Sequence, residues 1–316
     1  ERGWGMVLQG CFSENVIIDN HAVNGRSSRS FIDEGRWQKV LDLIKPGDYI
    51  FIQFGHNDEK HDQEGKVKRF AVPGSSFDAN LLRYVTEARS KGGIPVLFNC
   101  VERRSFFDPR LSDDASYKAS ENPDKPTIPT ADDEMLRDVK YSSEKTNTNY
   151  LVSTHFTSDG DYTAVPYLVA KKNNVPFIDA NRISHWMEME HGVVGSRKLH
   201  VWLKPGEVPS IPDGRRDNTH YSIYGAHVIS NLLADAIGDA VPELKPYIRH
   251  YDYVVSDKGR GNYMALNDAV ADAIKEISQN AGKKTTILVL DGKFHKPQLP
   301  KNISLEVRET AKVIKD

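Results

Sequence analysis

Tyr49-Ile50-Phe51-Ile52-Gln53-Phe54-Gly55-His56-Asn57-Asp58 is the stretch that decides the fold class. Five of its first six residues are aromatic or β-branched, which predicts a buried strand over 49–54. Gly55 permits a sharp turn, and Asn57 and Asp58 follow directly at the strand's C-terminal end. In parallel α/β sheets that end is where ligands bind. One short word therefore supplies both a core strand and a candidate site.

Working outward, strands alternate with helices. Phe31, Ile32, Trp37, Val40, Leu41 and Ile44 follow helical spacing over 31–44 and stop at Pro46-Gly47. Phe77, Leu81, Val85 and Ala88 mark the next helix, closed by Gly92-Gly93, and Val96-Leu97-Phe98 the next strand. Tyr162 to Ala170 reads as a helix and Val175-Pro176-Phe177-Ile178 as a strand. Ile223, Ala226, Ile229, Leu233 and Ile237 stripe a further helix, while Val16-Ile17-Ile18 reads as a short strand before the turn Asp19-Asn20. This alternation predicts an α/β fold with a parallel sheet covered on both faces.

Two segments break the rhythm. Residues 105–149 are polar, carry Pro123, Pro126 and Pro129, and read as a surface insertion, either a lid or a disordered segment. After Tyr247 to Tyr253 come a strand (Tyr253-Val254-Val255), a helix with Leu266, Val270, Ala273, Ile274 and Ile277, and a strand Ile287-Leu288-Val289-Leu290. So few elements make a thin core, the expected start of a second domain. The expected organisation is a domain at 1–248 and an incomplete one at 249–316.

The chain has 316 residues, a net charge of −2, 39% hydrophobic and 27% charged residues, an ordinary balance for a folded chain. No apolar run reaches the ~18 residues of a membrane-spanning helix, so no membrane span is expected. Near-neutral charge gives no footprint for nucleic acid. Two cysteines make no disulfide framework, and Cys100 reads as a buried thiol.

Three loops hold residues suited to chemistry. Asn57 is placed either to aim its amide N–H at a developing oxyanion or simply to close a turn. Asn24-Gly25-Arg26-Ser27-Ser28-Arg29-Ser30 offers Gly25 backbone N–H before a helix start that Ser27 or Ser28 would cap. Asp217-Asn218-Thr219-His220 sets a carboxylate three residues from an imidazole. An Asp there can accept from Nδ1–H and leave Nε2 free as a base, or merely start a helix beside a solvated His. His155, His191 and His200 are scattered without zinc-ligand spacing, so no metal is expected.

Taken in order, Gly25, Gly55-x-Asn57-Asp58 and Asp217-x-x-His220 resemble blocks II, III and V of the SGNH (GDSL-type) hydrolases. The neighbouring words Glu1-Arg2-Gly3-Trp4-Gly5, Glu34-Gly35-Arg36-Trp37, Gln53-Phe54-Gly55-His56 and Trp202-Leu203-Lys204-Pro205-Gly206 resemble the rhamnogalacturonan acetylesterase branch. The resemblance implies a flavodoxin-like three-layer α/β/α sandwich and hydrolysis of O-acetyl esters on a pectic backbone. His220 would be the general base oriented by Asp217, with Gly25 N–H and the Asn57 side chain holding the oxyanion. No cofactor is implied. Arg215 and Arg216 would either meet galacturonate carboxylates or form a solvated basic turn.

In this family block I, Gly-Asp-Ser, precedes the Glu-Arg-Gly-Trp-Gly word on the first strand and carries the nucleophile. The chain starts at Glu1, so that strand and Ser are expected upstream, the chain being a fragment. Residues 253–263 with the following helix and strand resemble the opening of a pectin methylesterase, the first elements of a right-handed parallel β-helix. Together these imply a piece of a two-enzyme pectin-degrading polypeptide with a covalently linked pectin methylesterase-like module, acting on acetylated pectic polysaccharide. Such a substrate implies a secreted or periplasmic location. An esterase on another glycan such as xylan, or a non-catalytic glycan-binding remnant, are the alternatives.

Overall fold

A computed structural model describes residues 1–107, 150–151, 154–280 and 282–314. Most of the expected 105–149 insertion lies outside them. The chain divides into two compact units, His21–Arg197 and a second made of Glu1–Asn20 with Lys198–Asp316.

The 21–197 unit is built on three parallel strands: β1 (Tyr49–Gln53), β2 (Ile94–Phe98) and β7 (Phe177–Ile178), in the order β1-β2-β7. Tyr49 to Gln53 stand in register with Ile94 to Phe98, as the buried-strand reading of the opening word requires. Pro176 cannot donate to a ladder, and β7 begins only after it. The helices are α2 (Ser28–Asp33), α3 (Arg36–Leu41), α4 (Ser76–Ser90), α5 (Ala164–Lys172) and α6 (Ala180–Gly195). Phe77, Leu81, Tyr84, Val85 and Ala88 fall on one face of α4 and are buried with Ile52, Leu97, Trp37 and Val165 in a single core. Each such large apolar side chain contributes about 1.5–3 kcal/mol of transfer free energy. Two-residue strands β3 (Phe106–Phe107) and β4 (Tyr150–Leu151) pair antiparallel, as do β5 (Phe156–Thr157) and β6 (Gly160–Asp161).

Two expectations are corrected here. The helix expected over 31–44 is two short helices, because Gly35 adopts φ +68° and ends the first. A capping box between Ser27 and Ser30 starts α2, so Ser27 is the cap. In the other unit, Val16-Ile17-Ile18 forms no strand. The Gln9 side chain satisfies its backbone instead, donating to Val16 O and accepting from Ile18 N, both at 2.8 Å. Ile17 stays 86% exposed.

That other unit starts with the short helix α1 (Trp4–Val7) and continues with the antiparallel pair β8 (His200–Leu203) and β9 (Arg215–Tyr221), then α7 (Ile223–Ala240). The apolar stripe read for α7 is its buried face. Then come β10 (Tyr253–Ser256), α8 (Leu266–Gln279), β11 (Thr285–His295), β12 (Ile303–Val307) and β13 (Ala311–Ile314). All their pairings are parallel: β10 with β11, the first half of β11 with β12, and its second half with β13. Leu266, Ala269, Val270 and Ala273 of α8 close over Val255, Ile287 and Val289. Ile248 and Arg308 also touch the chain's beginning. Arg308 donates to Phe12 O at 3.1 Å and ion-pairs with Glu14, and Phe12 bridges to Ile248.

Candidate active site

Asp217 and His220 sit in an irregularity of the β8–β9 ladder. Trp202 faces Arg216 and His200 faces Tyr221, so Val201 alone stands opposite the four residues 217–220. Such a bulge re-aims side chains that a regular strand would alternate between faces. The Asp217 carboxylate closes it: Oδ1 accepts from Thr219 N at 2.8 Å and His220 N at 2.9 Å. Oδ2 accepts from His220 Nδ1 at 2.8 Å, and this bond leaves Nε2 as the basic position. The structure therefore brings the two residues together as expected, but on a bulged strand rather than on a turn before the helix.

Burial pushes the Asp217 carboxyl up, yet the side-chain and backbone bonds of His220 and Thr219 outweigh it and hold Asp217 well below the usual carboxylate range. His220 moves the other way. The bond to Asp217 raises its proton affinity, burial opposes, the charges of Asp217 and Glu1 raise it further, and Arg215 lowers it. His220 is 50% exposed while Asp217 is 10% exposed, which suits a base that meets substrate and a partner that does not.

Arg215 is engaged by the dyad itself. Its Nη2 lies 2.5 Å from Asp217 Oδ2, the oxygen that also receives His220, and its Nη1 lies 3.4 Å from Glu1 Oε2. Arg216 stacks its guanidinium 5.9 Å over the Trp202 ring, and Trp202 Nε1 donates to Asn218 Oδ1 at 3.0 Å. The donor atoms of Glu1, Asp217 and His220 lie within 4.8 Å of one another. Asp217 Oδ2 already carries two donors there, an arrangement that serves a proton better than a metal ion. Behind the bulge, Ser222 caps α7 by accepting from Gly225 N at 3.0 Å. A Cβ on Gly225 would run into Leu199 O, so helix and strand approach as closely as their backbones allow.

Gly25 and Asn57 belong to the 21–197 unit. Gly25 adopts φ +75° in open space, a conformation that costs other residues about 1–2 kcal/mol. Asn57 Nδ2 points at the Gly25–Arg26 loop and donates to Arg26 O at 3.4 Å, a long and therefore weak bond. Asn57 Oδ1 faces Arg69 Nη1 at 3.5 Å, which fixes the amide orientation. The two loops are locked by Asp58, which is wholly buried. It accepts from Ser28 N at 2.9 Å and Ser28 Oγ at 2.5 Å, and from Gly55 N at 3.0 Å. Burial pushes the Asp58 carboxyl up to about 7 against the pull of these donors. Tyr84 adds a bond from its hydroxyl to Ser28 O at 2.8 Å.

Sequence reading singled out Asn57 and left Asp58 as part of a turn. It passed over Glu59 and Arg103 and weighed His155 only as a zinc ligand, yet the three meet beneath the same turn. Separated by up to 96 positions, these residues give no local signal. His56, Cys100 and His155 also bring their donor atoms within 4.8 Å.

The family model described as GDSL-like Lipase/Acylhydrolase matches residues 1–233. The chain is similar to the rhamnogalacturonan acetylesterase RhgT of Bacillus subtilis, 33% identical over 258 residues, 82% of this chain and 87% of the relative. It is 48% identical over 56 residues to the rhamnogalacturonan acetylesterase of Emericella nidulans, 18% of this chain and 22% of that one. Among solved structures it matches Bacillus subtilis YxiM with a TM-score of 0.48 and 18% identity, covering 76% of this chain and 50% of that one.

Proposed function

The chain belongs to the GDSL-like lipase/acylhydrolase family, and on that premise we propose that it is a carbohydrate acetylesterase acting on acetylated rhamnogalacturonan. The observation that carries this reading is the 2.8 Å bond between His220 Nδ1 and Asp217 in a chain 33% identical to an acetylesterase over most of its length. Support for the pectic substrate comes from the two relatives named for it.

The nucleophile in this proposal is a block I Ser preceding Glu1, as the family resemblance implies. Its hydroxyl oxygen attacks the acetyl carbonyl while its proton passes to His220 Nε2. The tetrahedral oxyanion is held by Gly25 N–H and Asn57 Nδ2–H. Collapse expels the sugar hydroxyl, which takes the proton from His220, and water then releases acetate by the same route in reverse. Asp217 stabilises the imidazolium formed in each half. Arg216, whose guanidinium stacks on Trp202, is the candidate contact for a galacturonate carboxylate, whereas Arg215 is already committed to Asp217 and Glu1.

The same proposal takes residues 249–316 as the opening of a covalently linked pectin methylesterase-like β-helix, supported by the all-parallel pairing of β10 to β13. Action on pectin outside the cytoplasm completes it. The test is acetate release from acetylated rhamnogalacturonan by this chain beside a version extended upstream in its gene. Release by the extended version alone supports the proposal. Release by the short chain places the nucleophile elsewhere, and faster release from acetylated xylan reassigns the substrate.

A further inference from the structure

The turn that carries Asn57 rests on an unusual floor. Glu59 projects inward from it and is 5% exposed, meeting Arg103 at 2% and His155 at 0%. His155 Nδ1 lies 3.0 Å from Glu59 Oε2, and Arg103 Nη2 ion-pairs with Glu59 Oε1. The cluster is tied to the turn itself: Arg103 Nη2 donates to His56 O at 3.4 Å, and the His155 ring meets the His56 ring edge-on at 4.6 Å. It is tied to the surrounding fold as well. Arg103 Nη1 donates to Thr154 Oγ1 at 2.9 Å, and Tyr162 N donates to His155 O at 3.0 Å.

A metal ion is the first alternative, since His56, Cys100 and His155 converge here. The geometry opposes it. Both ring nitrogens of His155 face oxygens, Nδ1 on Glu59 and Nε2 on Val101 O at 3.0 Å. The Arg103 guanidinium is a further 3.5 Å from Nδ1. A doubly protonated His155 satisfies both contacts. Burial and the adjacent Arg103 guanidinium disfavour that charge, but the neighbouring Cys100 and Glu59 outweigh them and raise His155 well above its ordinary range. The site is arranged around a proton and a guanidinium, two cations sharing one carboxylate.

Buried ion clusters are poor stabilisers, because desolvation offsets most of their attraction, and apolar replacements often serve stability better. What they do supply is directional geometry. We propose that Glu59, Arg103 and His155 are positioning residues that fix the Gly55–Lys60 turn and so hold the Asn57 amide against the Gly25 loop. The link is short. Glu59 N and Asp58 N both donate to Gly55 O, and Lys60 N donates to Asn57 O, so a shift of Glu59 moves the backbone on both sides of Asn57. The catalytic part of this inference rests on the acetylesterase reading; the structural part does not.

The test uses two readouts. In this chain with ¹⁵N-labelled asparagine, the Asn57 side-chain amide resonances are assigned by their loss in Asn57→Ala. In the version extended upstream, kcat and KM for acetate release are measured. Glu59→Gln and His155→Gln are expected to shift or broaden the Asn57 amide resonances and to lower kcat about 10- to 100-fold, a part of the loss expected when an oxyanion donor is removed outright, with KM nearly unchanged. Arg103→Lys keeps the charge but loses the fork, and serves if the other variants fail to fold; the same resonances are expected to move, with a smaller drop in kcat. Val169→Ala, a core truncation distant in sequence, is the control for lost stability. Asn57 resonances unmoved in every folded variant overturn the proposal, as does an unchanged kcat alongside moved resonances. Should no version release acetate, the esterase reading fails while the resonances still decide the cluster.

Discussion

The β9 bulge and the Gly25–Asn57 loops hold comparable chemistry by opposite means. At the bulge, Asp217 reaches its partners within three positions of itself, and His220 is half open to solvent. At the loops, the locking bonds span 30 positions from Asp58 to Ser28, 31 from Asn57 to Arg26 and 96 from Glu59 to His155. On the proposed reading, the difference teaches that a proton-transfer pair can be assembled locally, whereas an oxyanion pocket needs two loops frozen against each other. Pre-organised donors matter because they need no reorganisation when charge develops.

The comparison can be broken most severely at the bulge. In the esterase carrying its nucleophile, His220→Ala is expected to lower kcat by on the order of 10⁴- to 10⁶-fold, and acetate-release kinetics near wild-type rates would refute its role as base. Asp217→Asn keeps the shape but presents the wrong hydrogen-bonding face, with an expected loss near 10⁴-fold. Asn57→Ala is expected to cost about 10²- to 10³-fold in kcat with little change in KM. A loss confined to KM would instead make Asn57 a substrate contact.

Sharpening the loop side calls for a stability measurement. Asp58→Asn leaves one of three donors without an acceptor, and urea unfolding is expected to show a loss of about 1–3 kcal/mol. The sign of its pH dependence follows from the raised carboxyl. Asp58 contributes most below the ordinary Asp range, and that contribution is lost as pH rises through about 7. The wild-type chain is therefore expected to lose stability relative to Asp58→Asn between about pH 4 and 7. The smallest effect concerns Arg215. The proposed mechanism needs neutral His220, whose proton affinity is raised, so the acid limb of kcat/KM is expected above the ordinary His value. Arg215→Gln removes a cation that opposes protonation, and the limb is expected to move to higher pH with a few-fold loss at neutral pH. A shift to lower pH would show that Arg215 acts on substrate instead.

The same contrast explains what the sequence disclosed. The strand at 49–53, the α4 and α7 stripes and the Asp217–His220 pair are periodic or local, and were legible as such. The break at Gly35 and the coil at 16–18 were not. One turns on a single positive φ, the other on a side-chain amide from Gln9 replacing a ladder. The β8–β9 pair escaped notice because polar residues such as Arg215, Arg216 and Asp217 carry no strand periodicity. Glu59, Arg103 and His155 lie up to 96 positions apart and share no local pattern, so only the fold brings them together.

Gly25 and Gly225 make a final contrast, in the language of substitution tolerance. Gly25 is constrained by its backbone angle but has open space around it, so asparagine or aspartate, which tolerate left-handed φ, should be recoverable there with the N–H intact. Gly225 has no such latitude, because any side chain meets the Leu199 carbonyl. A library randomised at both positions and selected for folding should therefore return a small alphabet at 25 and a single letter at 225.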